Sequence, residues 1–406
     1  MPAASLRIDA DRLHASLRDL AAIGATAGGG VTRLALTDED RAGRDRLVSW
    51  LRDAGLTVRI DDVGNITGLR PGRSDGPPVL LGSHIDTVIR GGKSDGALEV
   101  VRALNDAGIV TERPVAVVSW TNEEGVRFEP AMTCAGYAAG RFTKAYIDSR
   151  TDRAGLTFAD ELQRIGYAGD AAHSPLPAAA YLELHIEQGP VLESEGRGVG
   201  VVGGIVGITW SEVVIAGQTD HAGPSPMHLR KDALVAAAHV VAGIERFAID
   251  LDPTAVSTVG RFQVAPGIIN TIPGEAIFSV DFRHRDPAVL DAQVARLEAL
   301  VARVCAERGV QGTVRRFWTS EPTPFDPTVL AAVEQGCATL GLDAGHLWSG
   351  AGHDAKYVAD VCPSAMIFVR SRGGLSHCET EHSDADDIVA GANVLLQAAV
   401  SLAGVA

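Results

Sequence analysis

The chain has 406 residues, too many for one ordinary core, and its 46% hydrophobic and 21% charged residues are typical of a globular protein. Its 51 acidic and 36 basic residues give a net charge of −15, which excludes the basic surface that nucleic acids or anionic lipids require. We therefore predict two domains, or at most three, and no nucleic-acid partner.

The first half of the chain predicts two helices followed by strands. Apolar residues recur at helical spacing from Ile8 to Ile23, and Thr37 with Asp40 can cap a second helix that runs to Gly55. A helical pattern at 97–105 then lies among short apolar strands at 58–60, 66–69, 79–81, 115–120 and 181–185. Strands that alternate with helices indicate an α/β sandwich.

A different order of predicted strands and helices follows the glycine-rich segment 199–207. The pattern is strand 208–216, helix 231–247, strands 255–264 and 275–283, helix 287–307 and strand 312–318, which is ferredoxin-like α+β. The α/β pattern then resumes with a helix at 327–340, a strand at 365–369 and a last helix from about 386. We predict a domain of residues 207–319 inserted into a larger domain of residues 1–206 and 320–406.

Neither the cysteines nor the apolar segments indicate an extracellular or membrane protein. The five cysteines are scattered without a CxxC pair, which argues against a disulfide framework or a thiolate zinc finger. The apolar stretches 233–244 and 394–406 are shorter than a bilayer span, and the amino terminus lacks the pattern of a signal peptide. We expect a cytoplasmic protein with no membrane partner.

The first candidate site residues follow a predicted strand. His84 lies in LLGSHIDTV, and Asp86 can accept a hydrogen bond from its second ring nitrogen. Asp95 lies between glycines at the start of the next predicted helix. Open α/β sheets carry their sites at the carboxyl ends of strands. An HxD pair alone is nevertheless more typical of an ordinary loop.

Glu123 and Glu124 leave the end of the next strand together. Because adjacent side chains point in different directions, one can bind a metal while the other transfers protons. The alternative is a solvated acidic turn. Further along, a strand ends in His185, and GGLSHCETEHSD contains His377 and His382. Imidazoles and carboxylates that recur at four strand or loop ends match the ligands of a two-metal hydrolase.

Eight motifs in chain order now point to a family: GSHIDTV, the Asp95 segment, TNEEGVRFEPAM, HIEQGP, DHAGPSPMHLRKDA, NTIPGEAIFSVDFRH, SGAGHDA and GLSHCETE. Over about residues 60–385 the chain resembles the group of N-carbamoyl-L-amino acid amidohydrolases, β-ureidopropionases and allantoate amidohydrolases. This group belongs to the aminoacylase and carboxypeptidase-like dinuclear metallohydrolases.

The resemblance implies two divalent metal ions per subunit, which could be zinc, manganese, cobalt or nickel. Asp95 would bridge them, His84 and His185 would complete one site, and Glu124 and His377 would complete the other. Glu123 would then be the general base. We choose His377 as the ligand because the family has its ligand in SHxxxE, with Glu381 four residues later, whereas His382 is more typical of a surface histidine.

The resemblance also implies substrate-binding residues in both domains. His221 with Asn270 would donate hydrogen bonds to the developing oxyanion, although an exposed turn histidine is often inert. Arg283 and Gln188 would hold the substrate carboxylate, where the residues alone favour an ordinary strand salt bridge for Arg283. Arg230 and His353 lie in shared motifs and receive only a supporting role, with His353 beside Asp354.

The expected activity is hydrolysis of the carbamoyl C–N bond of an N-carbamoyl-L-amino acid or of N-carbamoyl-β-alanine, with release of the amino acid, carbon dioxide and ammonia. The substrate would carry a carboxylate and a ureido group. Alternatives are an allantoate amidohydrolase, an aminoacylase or dipeptidase, and a catalytically silent metal-binding dimer. The resemblance implies a homodimer through the inserted domain, which would also act as a lid.

Two departures from the family pattern involve three positions. Arg370 stands where relatives often have proline, and Cys378-Glu379 replaces a common Asn-Pro. Neither departure removes a ligand, so both bear on which substrate fits.

Overall fold

The computed structural model describes residues 5–89 and 97–405, so Asp95 lies outside the described residues. The chain divides into two compact units. One consists of the residues up to Gly204 together with those from Pro324 onward, and the other is Ile205–Thr323. Each unit is described separately below.

The elements are numbered in chain order. The first stretch contains α1 (Ala10–Ala22), α2 (Asp38–Asp53), β1 (Thr57–Ile60), β2 (Ile66–Arg70), β3 (Val79–His84), α3 (Ala97–Asp106), β4 (Val115–Trp120), α4 (Thr133–Ala138), α5 (Lys144–Asp148), α6 (Phe158–Arg164), β5 (Ala180–Ile186), α7 (Val191–Ser194) and β6 (Val199–Ile205). The second unit contains β7 (Gly207–Ala216), β8 (Asp220–His221), α8 (Ala233–Leu251), β9 (Val256–Thr258), β10 (Phe262–Ala265), β11 (Thr271–Ile272), β12 (Glu275–His284), α9 (Pro287–Arg308) and β13 (Gln311–Ser320). The last stretch contains β14 (Thr323–Pro324), α10 (Pro327–Leu340), β15 (Gly345–Ser349), α11 (Ala355–Val358), β16 (Ser364–Val369) and α12 (Ala385–Ala403).

Within the described residues, nine strands form the main sheet of the first unit, in the order β1-β2-β4-β3-β5-β16-β6-β14, with β15 also paired to β6. Its centre is parallel, since β3 pairs in parallel with β4 and β5, and β16 pairs in parallel with β5. These strands are almost wholly buried and read as continuous apolar runs, as parallel strands covered on both faces do. The predicted α/β fold class is confirmed.

Helix α12 packs on β16 and β5 and beside α10 and α3. With 19 residues it is long and apolar enough to cross a membrane, but half of its apolar window is buried inside the protein. A core helix has this character. The amino-terminal segment is bonded to it, since Asn393 Oδ1 accepts a hydrogen bond of 3.0 Å from Ile8 N and Gln397 Nε2 donates one of 2.9 Å to Leu6 O.

The second unit has the predicted ferredoxin-like pattern. Its antiparallel sheet has the order β10-β12-β7-β13, with β9 also paired to β12. Helices α8 and α9 pack together and cover a core that includes Ile244, Phe278, Phe282 and Leu297. The strand predicted at 255–264 is instead two short strands, β9 and β10, and residues 259–261 between them belong to neither.

Some elements carry too weak a sequence signal to be predicted. The short helices α4, α5 and α6 are examples. Strand β6 is another, because its glycine-rich sequence suggests a linker. It is buried all the same, and a Cβ built at Gly200 would lie 2.5 Å from Leu347 Cδ2, so glycine is what permits this close packing.

Candidate metal centre

The candidate site lies where three parallel strands end. His84 is the last residue of β3, Glu123 and Glu124 follow the end of β4, and His185 is the penultimate residue of β5. Because β3 pairs in parallel with β4 and with β5, these ends share one edge of the sheet.

The side chains of His84, Glu123 and Glu124 converge. Each offers a ligand atom, and these atoms lie within 4.8 Å of one another. His84 Nε2 is 3.4 Å from Glu123 Oε2. The ring of His185 stacks near that of His84, with centroids 6.0 Å apart. Four of the five predicted ligands, including His377 described below, therefore gather at this edge, and the fifth, Asp95, lies outside the described residues.

Main-chain carbonyls orient both of the strand-end imidazoles. His84 Nδ1 lies 2.8 Å from Asp86 O, and His185 Nδ1 lies 2.8 Å from Ile186 O. A carbonyl oxygen only accepts, so each Nδ1 carries a proton and each Nε2 is the atom available to a metal. Burial, with the nearby charge of His84, lowers the pKa of His185 to about 4, which keeps this imidazole neutral.

Asp86 contacts His84 through its main chain rather than through its carboxylate. Its carboxylate Oδ1 is 3.7 Å from His84 Nδ1, beyond hydrogen-bond range, and the main-chain oxygen of Asp86 makes that bond instead. The Asp86 carboxylate accepts from the N–H groups of Glu123 and Glu124, each at 3.3 Å. The physical reason is that the end of β4 presents two unpaired N–H donors, which a buried carboxylate satisfies.

The site is electrostatically suited to cations. Burial raises the pKa of Glu123 well above its ordinary value; the charge of His84 opposes this shift, and that of Glu124 adds to it. Burial also raises the pKa of Glu124. In His84 burial acts to lower the pKa, but the charges of Glu123 and Asp86 raise it well above the usual value. Imidazole nitrogens and carboxylate oxygens packed this closely fit divalent transition metals, whose binding displaces such protons.

His377 approaches the site from the loop after β16. Its Nε2 is 3.7 Å from Glu124 Oε2 and 3.5 Å from Gln188 Nε2. Glu381 accepts a 3.0 Å hydrogen bond from His377 N, whereas His382 lies 3.5 Å from Asp384. Both His377 and Gln188 have left-handed backbones, with φ of 57° and 58°. Such conformations cost energy in non-glycine residues and concentrate at functional sites.

A buried ion pair that the sequence pattern does not reveal supports the end of β4. Arg44 Nε donates to Asp40 Oδ2 at 2.7 Å, Nη1 to Gly64 O at 2.7 Å and Nη2 to Thr121 Oγ1 at 3.1 Å. Thr121 directly follows β4, two residues before Glu123. An Asp and an Arg four residues apart in a helix are typical of an exposed surface pair, so the sequence pattern alone conceals their burial.

His353 and Asp354 pack behind the candidate ligands. The His353 ring centroid lies 4.4 Å from that of His185, and its Nε2 lies 2.9 Å from Ser349 Oγ. Both Asp354 carboxylate oxygens are buried without a hydrogen-bond partner among the described residues. Burial raises the pKa of Asp354 well above its ordinary value, and the charges of Glu123 and Glu183 add to the rise.

In the second unit, His221 and Asn270 are neighbours. His221 in β8 pairs with Thr271 in β11, and Ala222 N donates to Asn270 O at 2.9 Å. His221 Nδ1 accepts from Gly223 N at 3.0 Å, so the ring proton lies on Nε2 and faces outward as a donor. Arg230 ties this turn together, since its Nη2 donates to Ala222 O at 2.6 Å.

Arg283, also in the second unit, forms the strand salt bridge that its residues alone favour. Its Nη2 lies 2.7 Å from Asp281 Oδ2 and its Nε lies 3.1 Å from Asp281 Oδ1. The departure at Arg370 has a structural partner too: its guanidinium pairs with Asp384 at 3.1 Å and Asp387 at 2.8 Å, at the start of α12. Cys378 contacts Thr380, with 3.3 Å between the sulfur and Oγ1.

Comparison with known proteins agrees with this geometry. The N-carbamoyl-L-amino-acid amidohydrolase of Rhizobium meliloti is 41% identical over 99% of this chain and 98% of its own length. The allantoate amidohydrolase of Bacillus subtilis (strain 168) is 33% identical over 95% of both chains. The crystal structure of an amidase of the hydantoinase/carbamoylase family from Burkholderia multivorans is 48% identical, covers 98% of this chain and 99% of its own, and superimposes with a TM-score of 0.95.

The family profile agrees with these relatives. The profile of peptidase family M20/M25/M40 matches residues 80–401, most of the chain. The family resemblance predicted from the motifs is thereby confirmed, and the chain belongs to peptidase family M20/M25/M40.

Proposed function

We propose that this protein is a metal-dependent amidohydrolase that cleaves the carbamoyl C–N bond of N-carbamoyl-L-amino acids. The observation that carries the proposal is the convergence of His84, Glu123 and Glu124 at the carboxyl ends of parallel strands. The relatives named for this activity, which match almost the whole chain, support the substrate class. The intact Glu123-Glu124 pair argues against a silent binding protein, because binding alone needs no proton-transferring carboxylate.

We propose that side chains of this protein hold two divalent ions. His84, His185 and Asp95 would hold one, and Glu124 and His377 would complete the second with Asp95 shared. When bound, such ions would acidify water and polarise the substrate carbonyl. His185 is suited to this role because its Nδ1 is already bonded to Ile186 O, which fixes the ring with Nε2 free.

Glu123 would act as the general base and then as the general acid. Its carboxylate would take one from the attacking water and deliver it to the leaving nitrogen of the substrate. The raised pKa of Glu123 suits this exchange, because an acid poised nearer neutrality both accepts and releases a proton. Asp86 would act by positioning, since its carboxylate holds the N–H groups of Glu123 and Glu124.

The family resemblance and the local geometry support a proposed role in substrate binding for four residues. The Nε2–H of His221 and the side chain of Asn270 would donate to the carbonyl oxygen as negative charge develops, from the same chain or across a dimer. Arg283 would bind the substrate carboxylate, for which it must exchange part of its bond to Asp281. Gln188, beside His377, would hold the same end of the substrate.

A homodimer through the second unit is part of the proposal. Trp210, Phe317 and Trp318 leave between 38% and 45% of their surface exposed on the sheet, and β13 lies at its edge. Exposed aromatics beside an edge strand are typical of a protein interface. We also propose a cytoplasmic location, which five free cysteines support.

The test is turnover by purified, metal-loaded protein, measured as ammonia released from the carbamoyl and ureide substrates and as free amino acid released from the N-acetyl compound. N-carbamoyl-L-amino acids, N-carbamoyl-β-alanine, allantoate and an N-acetyl amino acid are compared, after chelation and after addition of manganese, zinc, cobalt or nickel. We expect turnover of the carbamoyl-L-amino acids, lost on chelation and restored by metal. Preferred turnover of allantoate would favour the second candidate, to which the Bacillus subtilis relative points. Turnover of the acetyl compound alone would overturn the carbamoyl proposal.

A further inference from the structure

A cavity of about 580 Å³ in the first unit lies between α1 and the segment 381–388. None of the described candidate metal ligands is among its lining residues. Its apolar wall includes Leu17 and Ala21 of α1 together with Ile186 and Ile388. A cavity of this size accommodates a small molecule with an apolar body.

Polar groups converge on the same cavity. Arg18 and His14 face it from α1, four residues apart and therefore on one side of the helix. His382 and Ser383 face it from the other wall. Ser383 is 9% exposed, and its buried hydroxyl has no hydrogen-bond partner within residues 5–89 and 97–405. The hydroxyls of Thr67 and Ser211 are buried without a partner among these residues as well, so Arg18 and His14, rather than Ser383, indicate the ligand.

The charges define the ligand's chemistry. Arg18 offers a fork of donors suited to a carboxylate, and the two histidines that line the cavity can add hydrogen bonds. Glu381 also lines the cavity, but its carboxylate is engaged by Ser376 Oγ at 2.9 Å and His377 N at 3.0 Å. A small carboxylate with an aliphatic tail matches both the polar and the apolar parts.

We infer that this cavity is a second binding site, separate from the candidate metal centre, for a small monocarboxylate with an apolar tail, such as an aliphatic amino acid or its oxo or acyl analogue. The inference goes beyond the proposed reaction and does not depend on it. Since Glu381 both lines the cavity and bonds to His377 N, an occupant would contact the segment that carries a candidate ligand.

The experiment titrates the full-length protein with 4-methylpentanoate, with isopentylamine as the probe of opposite charge. Methyl resonances of isoleucine in labelled protein report the site, since Ile388 and Ile186 line it and Ile147 is buried elsewhere. We expect saturable shifts at Ile388 and Ile186 with the carboxylate and none with the amine. Titration of the metal-loaded protein should give the same result.

Variants locate the binding. Arg18→Gln should weaken it by about 10-fold or more, as loss of a charge-assisted bond does, while Arg52→Gln, an exposed arginine on α2, should match the wild type. The inference is overturned if Arg18→Gln binds like the wild type, if Ile388 does not shift at all, or if Arg283→Gln rather than Arg18→Gln abolishes binding. That last result would assign the carboxylate to the substrate site.

Discussion

Replacement of Asp86 by asparagine tests how the strand end holds the two carboxylates. The Asp86 carboxylate accepts one hydrogen bond of 3.3 Å from each of Glu123 N and Glu124 N. An amide keeps one accepting oxygen, but its NH₂ group would face the second N–H donor. A buried donor left unpaired costs about 1–3 kcal/mol. We expect this loss in the unfolding free energy of Asp86→Asn.

Asp86→Asn should also lower turnover, because it displaces the end of β4 that carries Glu123 and Glu124. A strand end displaced by about 1 Å can lower turnover by roughly 100-fold. Urea unfolding, turnover and metal content are measured side by side, with Asp53→Asn on the surface of α2 as the control. If Asp86→Asn keeps both its stability and its turnover, the reasoning fails. If it loses metal affinity alone, the side chain acts through the His84 ring after all.

Three further predictions address the site and its support. Glu123→Gln should lower kcat by about 10²–10⁴-fold with metal content unchanged, and wild-type turnover would remove the proposed base. Asp40→Ala should cost about 3–5 kcal/mol in urea unfolding because it leaves Arg44 buried and unpaired, whereas Arg41→Ala, from an exposed 4.0 Å pair, should cost under about 1 kcal/mol. In the metal-free protein the pKa of Glu123 is raised in the folded state, so the folded state keeps this proton to a higher pH than the unfolded state does. The free energy of unfolding should therefore fall as the pH rises above 4.5. Glu123→Gln should show a smaller fall over the same pH range.

The sequence predicted those features that depend on local patterns. The strands that end in His84 and His185 are apolar runs, and the ferredoxin-like unit shows alternating periodicity, so both were recognisable. Contacts between residues that are far apart in the sequence could not be recognised. The partners of the Asp86 carboxylate lie 37 and 38 residues away, and the burial of Asp40 with Arg44 depends on how α2 packs. A salt bridge within the sheet and a bond to a substrate carboxylate both suit an arginine on a strand, so the sequence does not identify Asp281 as the partner of Arg283.

The division of the chain into a continuous and an interrupted unit bears on how the protein is made. The second unit, Ile205–Thr323, is contiguous, so it can complete its fold as soon as it leaves the ribosome. The first unit cannot complete its fold so early. Leu6 and Ile8 form hydrogen bonds with Gln397 and Asn393, which are synthesised 391 and 385 residues later. A nascent chain that stopped before the last helix would therefore keep every candidate metal ligand and still lack a closed core to hold them.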